Sequence, residues 1–286
     1  MYRGSCVPSL TLAIWLLGWQ GLAAEEPATI TWRIDYSIAM DLANQQRKML
    51  LIFFCDPANV GSQRLDEKVF TDAAVCAKLQ EYVCLRLPMD ASTKLDGQEV
   101  RLLQHAAFKE MLGQPGIAIA DFAHSDPRLR GNLVSAFPLT PRFSLGPEQM
   151  KAILDLPCGT ITQRTLIYAV RTHPECPASA IGEPDARLLS EAESHSAYQA
   201  QIHLQGHHRW QSRFARISAM LGGTAREVCA ESWPGQTLVD AAVECVRCWR
   251  CSPGHWSAVR SCNCGFGYDM KLGSNGVWYA TGIFGS

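Results

Sequence analysis

Six of the twelve cysteines, Cys229, Cys245, Cys248, Cys251, Cys262 and Cys264, crowd into one short stretch near the C-terminus. Within it, Cys245-x-x-Cys248-x-x-Cys251 and Cys262-x-Cys264 flank His255 with spacing that resembles zinc ligation, since residues three apart on a helix share a face. In an oxidising compartment the same thiols would instead pair as disulfides, with Cys251 joined to Cys262 or Cys264 among the choices, or stay partly free. Spacing alone leaves these open. Cys55, Cys76, Cys84, Cys158 and Cys176 are scattered. Cys55 closes an apolar run and reads either as a small buried hydrophobe or as a single-thiol redox or tethering site. Cys76 and Cys84 read as core residues or one structural disulfide. His105, His124 and His173 stand alone, without a neighbouring cysteine or carboxylate, and read as surface residues. No glycine-rich phosphate loop follows a strand, and neither G-x-S-x-G nor H-E-x-x-H occurs, so chemistry that depends on those motifs lacks support.

The elements that must position these groups are bounded by composition. The chain has 286 residues and a formal charge of −1, which excludes a generally basic nucleic-acid binder. A 47% hydrophobic content with 22 Gly and 15 Pro is ordinary for packed domains. Arg3, the apolar run Val7 to Leu22, small residues at Ala23 and Ala24, and the polar break at Glu25-Glu26 read as a secretory signal peptide over 1–24. The run is short for a spanning helix of about 20 residues, though an uncleaved anchor is the alternative. The expected mature chain is soluble, without a transmembrane span, and secreted or periplasmic. It keeps an odd number of cysteines, so at least one thiol is free or bridges to another chain. Three prolines and a glycine between Arg171 and Asp185 mark a seam. They divide a first domain, 28–175, from a second, 187–286, with 176–186 as linker.

In the first domain, Trp32 to Ala43 has helical spacing, and Met49 to Phe54 is a continuous apolar run expected to form a buried central strand. Leu65 to Phe70 and Ala73 to Leu79 look helical, Val83 to Leu87 is a second short strand, Glu99 to Met111 an amphipathic helix, and Gly116 to Asp121 a late strand. Strands alternating with helices predict an α/β sheet. The order of signals, Lys48 before the apolar strand, Phe70-Thr-Asp72 after the first helix and Pro115 before the late strand, resembles a thioredoxin-like fold. That resemblance implies a cis peptide before Pro115. It also places Asn59 and Ser62 where the redox cysteines of that fold would stand, and neither side chain can form a disulfide. The redox site is then vestigial.

In the second domain, Leu188 to Ala200, Trp210 to Met220 and Thr237 to Arg250 are predicted helices, the last N-capped by Thr237. Gly265 to Met270 and Val277 to Phe284, joined by Gly273-Ser-Asn-Gly276, read as a terminal β-hairpin, which makes the domain α+β. The ordered set Gly206-His-His208, Glu227-Val-Cys-Ala230, Trp249-Arg-Cys-Ser-Pro-Gly-His255 and Trp278-Tyr-Ala-Thr-Gly-Ile-Phe284 resembles the CAP superfamily of cysteine-rich secretory, antigen 5 and pathogenesis-related proteins. Its most specific piece is the Ser-Pro-Gly-His segment ending at His255.

The resemblance implies an α-β-α sandwich with a cavity lined by two histidines and acids. His255 matches one histidine, His207 or His208 the other, and Glu227 an acid. A second family acid would fall at Ser252, with Glu244 or Glu231 as off-register substitutes. Two imidazoles and a carboxylate could hold zinc or another divalent ion, exchange protons, or form a satisfied structural cluster. The implied function is an exported binding or scaffold protein for a peptide, a cell-envelope component or a lipid, with no nucleic-acid partner. A metal-assisted hydrolase built on His207, His208, Glu227 and His255, or a single-thiol redox protein at Cys55, is the alternative.

Overall fold

A computed structural model describes Met1 and residues 29–95 and 97–285. The expected signal peptide, with Cys6, lies outside the described residues. Among them, no helix is long and apolar enough to cross a membrane.

The molecule is mixed α/β. Its larger sheet has five strands: β1 (Trp32–Arg33), β2 (Leu50–Cys55), β3 (Val83–Pro88), and then β6 (Gly116–Ala120) and β7 (Leu133–Pro138), which follow a separate hairpin of β4 (Ser92–Leu95) and β5 (Gln98–Arg101). The strand order is β1-β3-β2-β6-β7; the first three are parallel, and β6 and β7 run antiparallel. Leu50 to Phe54 are all solvent-inaccessible, as expected for a central strand covered on both faces. Helix α1 (Tyr36–Gln46) is capped by Asp35, α2 (Val60–Arg64) by Asn59 and α3 (Ala73–Leu79) by Asp72, each side chain accepting a backbone N–H of the first turn.

Four local expectations are corrected here. Trp32-Arg33 is a strand paired with β3, and the helix waits for the cap at Asp35. Leu65 to Val69 is a π-helical turn. Glu99 to Met111 is not one helix: Gln98 to Arg101 pairs with Ser92 to Leu95 through a tight link that uses Gly97 at φ +81°, and two 3-10 turns then bury Leu102, Phe108 and Met111. The apolar spacing was satisfied by short turns, with no continuous helix. The peptide before Pro115 is trans.

The second sheet is antiparallel, β8 (Ala225–Glu231), β10 (Trp278–Gly285) and β9 (Gly265–Leu272), with β10 central. The predicted terminal hairpin forms, Trp278 opposite Leu272. Helix α6 (Ala186–Ile202) lies on β9 so closely that a Cβ on Gly267 would stand 2.2 Å from the carbonyl carbon of Leu188. Helix α7 (Trp210–Leu221) precedes β8, and α8 (Leu238–Cys251), capped by Thr237 as predicted, leads into α9 (Pro253–Arg260).

Helix α5 (Ile161–Arg171) packs against β7 of the first sheet and β9 of the second, and α4 (Pro147–Leu154) ahead of it packs on α3. Side chains of α5, Leu166, Ile167 and Val170, belong to one apolar cluster that runs from Phe53 and Ile119 of the first sheet to Trp249, Tyr268 and Phe284 of the second half. The segment after α5 is tied down: Arg171 donates to the carbonyls of Ala180 and Gly182, and the hydroxyls of Ser179 and Tyr268 lie 2.7 Å apart.

One cation sits inside this wall. Arg164 is fully buried and donates to Ser135 Oγ at 2.9 Å and to the Leu156 and Pro157 carbonyls at 2.8 Å. Arg164→Met would leave those acceptors dry and unpaired, at about 1–3 kcal/mol each. Urea unfolding should therefore show a loss of about 3 kcal/mol or more; an unchanged midpoint would refute the assignment.

Candidate functional site

The site is built on a two-residue grip. His195 and Gln199, one turn apart on α6 and both buried, reach the same glycine. His195 Nε2–H donates to the Gly206 carbonyl at 2.9 Å, and Gln199 Oε1 accepts the Gly206 N–H at 3.0 Å while its Nε2 donates to Thr281 on β10. With both polar backbone groups of Gly206 held, the next residue, His207, is aimed at β8.

On β8 alternate residues face this side, so Glu227 and Cys229 point towards the loop while Val228 and Ala230 enter the main core. The Glu227 side chain has no solvent exposure. Its Oε1 accepts from His207 Nδ1 at 3.0 Å, and its Oε2 pairs with Arg213 of α7 at 2.5 Å. Burial by itself pushes this carboxyl up, but the hydrogen bonds from His207 and Arg213, together with nearby positive charge, outweigh it and hold the group below its ordinary value. An ionised acceptor fixes the proton of a neutral His207 on Nδ1 and leaves Nε2 with a free lone pair.

That Nε2 meets His255 Nε2 at 3.1 Å. His255 is half-buried in the first turn of α9, where Pro253 opens the helix, so the Ser-Pro-Gly-His segment acts as a helix start. Burial, then the proximity of His207, draws the His255 imidazole below its usual pKa, with Glu227 opposing. The two nitrogens can share one proton, or both can donate lone pairs to a cation. Two imidazole nitrogens on a tetrahedral zinc, each about 2.05 Å away, stand about 3.3 Å apart. The observed separation fits that donor set.

Neither a scan against protein-family models nor a search of curated proteins gives a match for this chain. The site is therefore argued from its geometry alone.

Of the two histidines left open by the sequence, His207 reaches the cluster. His208 turns back, its Nε2 3.1 Å from the Leu204 carbonyl and its ring 5.7 Å from that of Tyr198. The substitute acids do not join: Glu244 is engaged by Arg247 and the Trp233 indole, and Glu231 ends β8 exposed. His195, Gln199, Arg213 and Cys229 were missed as site residues. His195, Glu227 and Cys229 form a buried group whose donor atoms could hold a metal. In this arrangement the His195 Nε2–H donates to Gly206 and the Glu227 carboxylate is taken by His207 and Arg213, so the inner group positions the loop.

The cysteine array is corrected. Every described cysteine is a free thiol. Three residues turn a helix by about 300°, so successive members of Cys245-x-x-Cys248-x-x-Cys251 drift around α8. Cys245 is buried, Cys248 half-buried and Cys251 exposed, while Cys262 and Cys264 lie exposed in the loop before β9. Cys76 and Cys84 are buried thiols, the latter pushed up to about 12 by burial.

Asn59 and Ser62 are both occupied at the start of α2. Asn59 accepts the Ser62 N–H, and Ser62 Oγ accepts the Asp56 N–H. Pro115 is a neighbour through Leu139, which lies against Gly61 and donates its N–H to the Pro115 carbonyl. Cys55, half-buried, ends β2 beside Arg86. His105 caps a 3-10 turn and His173 lies against Trp256. The reading of His124 as solitary is overturned: with Asp121 and Cys158 it forms a second group that could hold a metal ion.

Two signs agree for pH. His195, whose pKa burial lowers from 6.5, resists a proton that the unfolded chain accepts below that value, so stability falls as pH drops through this window. Glu227, lowered from 4.5, adds stability above that value that is lost as pH falls further. Asp269, raised by burial, works in the opposite sense. Thermal unfolding should show the midpoint falling from about pH 7 to about pH 5, with a smaller fall in His195→Gln; parallel curves would refute it. Glu227→Gln strands Arg213 and should cost about 3–5 kcal/mol at neutral pH in chemical unfolding.

Proposed function

We propose that the chain is an exported binding protein, in which a redox-inactive thioredoxin-like domain is joined to a CAP-like domain whose His207–His255 pair captures a divalent cation, zinc by choice of donors. The β1-β3-β2-β6-β7 order, with three parallel strands, β6 antiparallel to β2 and β7 antiparallel to β6, supports the first half of this reading. So does the commitment of Asn59 and Ser62 to capping, in place of thiol chemistry. The arrangement of α6, α7 and α8 with the β8-β10-β9 sheet, and the start of α9 at Pro253, support the second. One observation carries the cation: two ring nitrogens 3.1 Å apart, one backed by a buried, ionised carboxylate.

The residues divide the work. Glu227 orients His207, Arg213 helps keep Glu227 charged, and His195 and Gln199 hold the loop. A bound divalent ion would supply Lewis acidity to an anionic partner such as a peptide carboxylate or an envelope phosphate. The hydrolytic alternative needs a general base beside the histidine pair. Glu227 lies behind His207 and is held by Arg213, so binding is favoured over catalysis.

Zinc titration by calorimetry tests this. His255→Ala should abolish binding at this site, and Glu227→Gln should weaken it about 10–100-fold while the imidazole ligands stay in place. Equal zinc affinity and stoichiometry in wild type and His255→Ala would overturn the reading.

A further inference from the structure

A second constellation, sharing no residue with the His207 site, lies where β6 ends. Asp121 follows β6, and its carboxylate is fully buried. Oδ1 accepts the backbone N–H groups of Ala123 (2.9 Å) and His124 (3.0 Å), which fixes the carboxylate and turns Oδ2 towards His124 Nδ1 at 2.7 Å. The third member, Cys158, comes from the α4–α5 loop, just ahead of Thr160, the cap of α5. The three donor atoms, one oxygen, one nitrogen and one sulfur, all lie within 4.8 Å of one another.

The surroundings point the same way. Cys158 also lines a cavity of about 230 Å³ whose wall carries the carboxylates of Asp126, Glu183 and Glu193; Arg128 pairs with Asp126 and Glu193, and Lys271 with Glu193. The remaining surplus of carboxylate on the wall favours a cation. A divalent ion held between the Asp121 carboxylate and the Cys158 sulfur would neutralise both anionic ligands at once.

We infer that Asp121, His124 and Cys158 form a second divalent-metal site, an O/N/S zinc-type centre with its fourth position open to the adjoining cavity. Mixed oxygen, imidazole and thiolate donors suit zinc or cobalt, and hard cations such as magnesium or calcium poorly. Three protein ligands with one exchangeable position is the arrangement of a reactive centre, as opposed to a closed structural one. On binding, the Cys158 S–H bond breaks, the sulfur keeps the electron pair and donates it to the metal, and the proton leaves to solvent. His124 gives up its hydrogen bond to Asp121 Oδ2, and the proton on Nδ1 moves through solvent to Nε2, so that Nδ1 presents a lone pair to the metal.

The site is tested by adding Co²⁺ anaerobically to the reduced full-length protein and recording its absorption. A cobalt–thiolate bond gives a near-ultraviolet charge-transfer band that imidazole and carboxylate ligands cannot produce. Wild type should show the band. Cys158→Ser should lose it together with one bound equivalent, His124→Ala should bind at least tenfold more weakly, and His255→Ala should keep it unchanged. Near-ultraviolet circular dichroism checks that each variant is folded. Absence of the band in folded wild type, or an equal band in Cys158→Ser, overturns the inference. Either result leaves the His207–His255 pair to be judged by its own zinc titration.

Discussion

A carboxylate without solvent contact is the constraint around which the second half of the molecule is arranged. Glu227 can remain ionised inside the protein only if cations or strong donors replace water, and Arg213 from α7 and His207 from the loop do so. Its position on β8 then dictates where α7 must lie. The loop between α6 and α7 must also bring an imidazole to it. The grip on Gly206 by His195 and Gln199 meets that requirement from the opposite helix. The result is an imidazole whose tautomer and direction are set before any ligand arrives, the preorganisation that cation capture needs.

The first half solves a different problem with similar means. Arg164, sealed between α5 and the first sheet, has no partner carboxylate in hydrogen-bond contact; it is solvated by carbonyls of the α4–α5 loop and by Ser135. These bonds fix the loop that carries Cys158. A buried guanidinium thus positions a thiol near a buried carboxylate, and the geometry of the Asp121 group follows from the way the core is closed.

Much of the fold was legible where a local signal coincided with a long element. The run from Met49 to Phe54, the cap at Thr237 and the terminal hairpin could be read directly, because apolar continuity, capping chemistry and turn residues are properties of adjacent positions. The stretch from Glu99 to Met111 misled because its apolar residues have helical spacing, although each buries its side chain from a separate 3-10 turn. His255 and Glu227 were found from a resemblance, and the choice between His207 and His208 required the loop's actual path. Arg213 and His195 carry no local mark, since a charged residue on an amphipathic helix reads as solvated. The three-residue spacing of Asp121 and His124 went unread as a pair, and Cys158 joins them only after the chain has passed through β7 and α4. Of the readings left open for the cysteine array, free thiols are what the described residues hold, and spacing alone could not choose among them because Cys245, Cys248 and Cys251 pass from buried to exposed around α8.

The placement of α5 has a last consequence. A helix that lends its apolar flank to two sheets at once cannot be released by one of them alone, because stripping either surface exposes the same side chains of Leu166, Ile167 and Val170. Opening either sheet therefore uncovers apolar surface that the other also relies on, so the two halves share the cost of exposing α5.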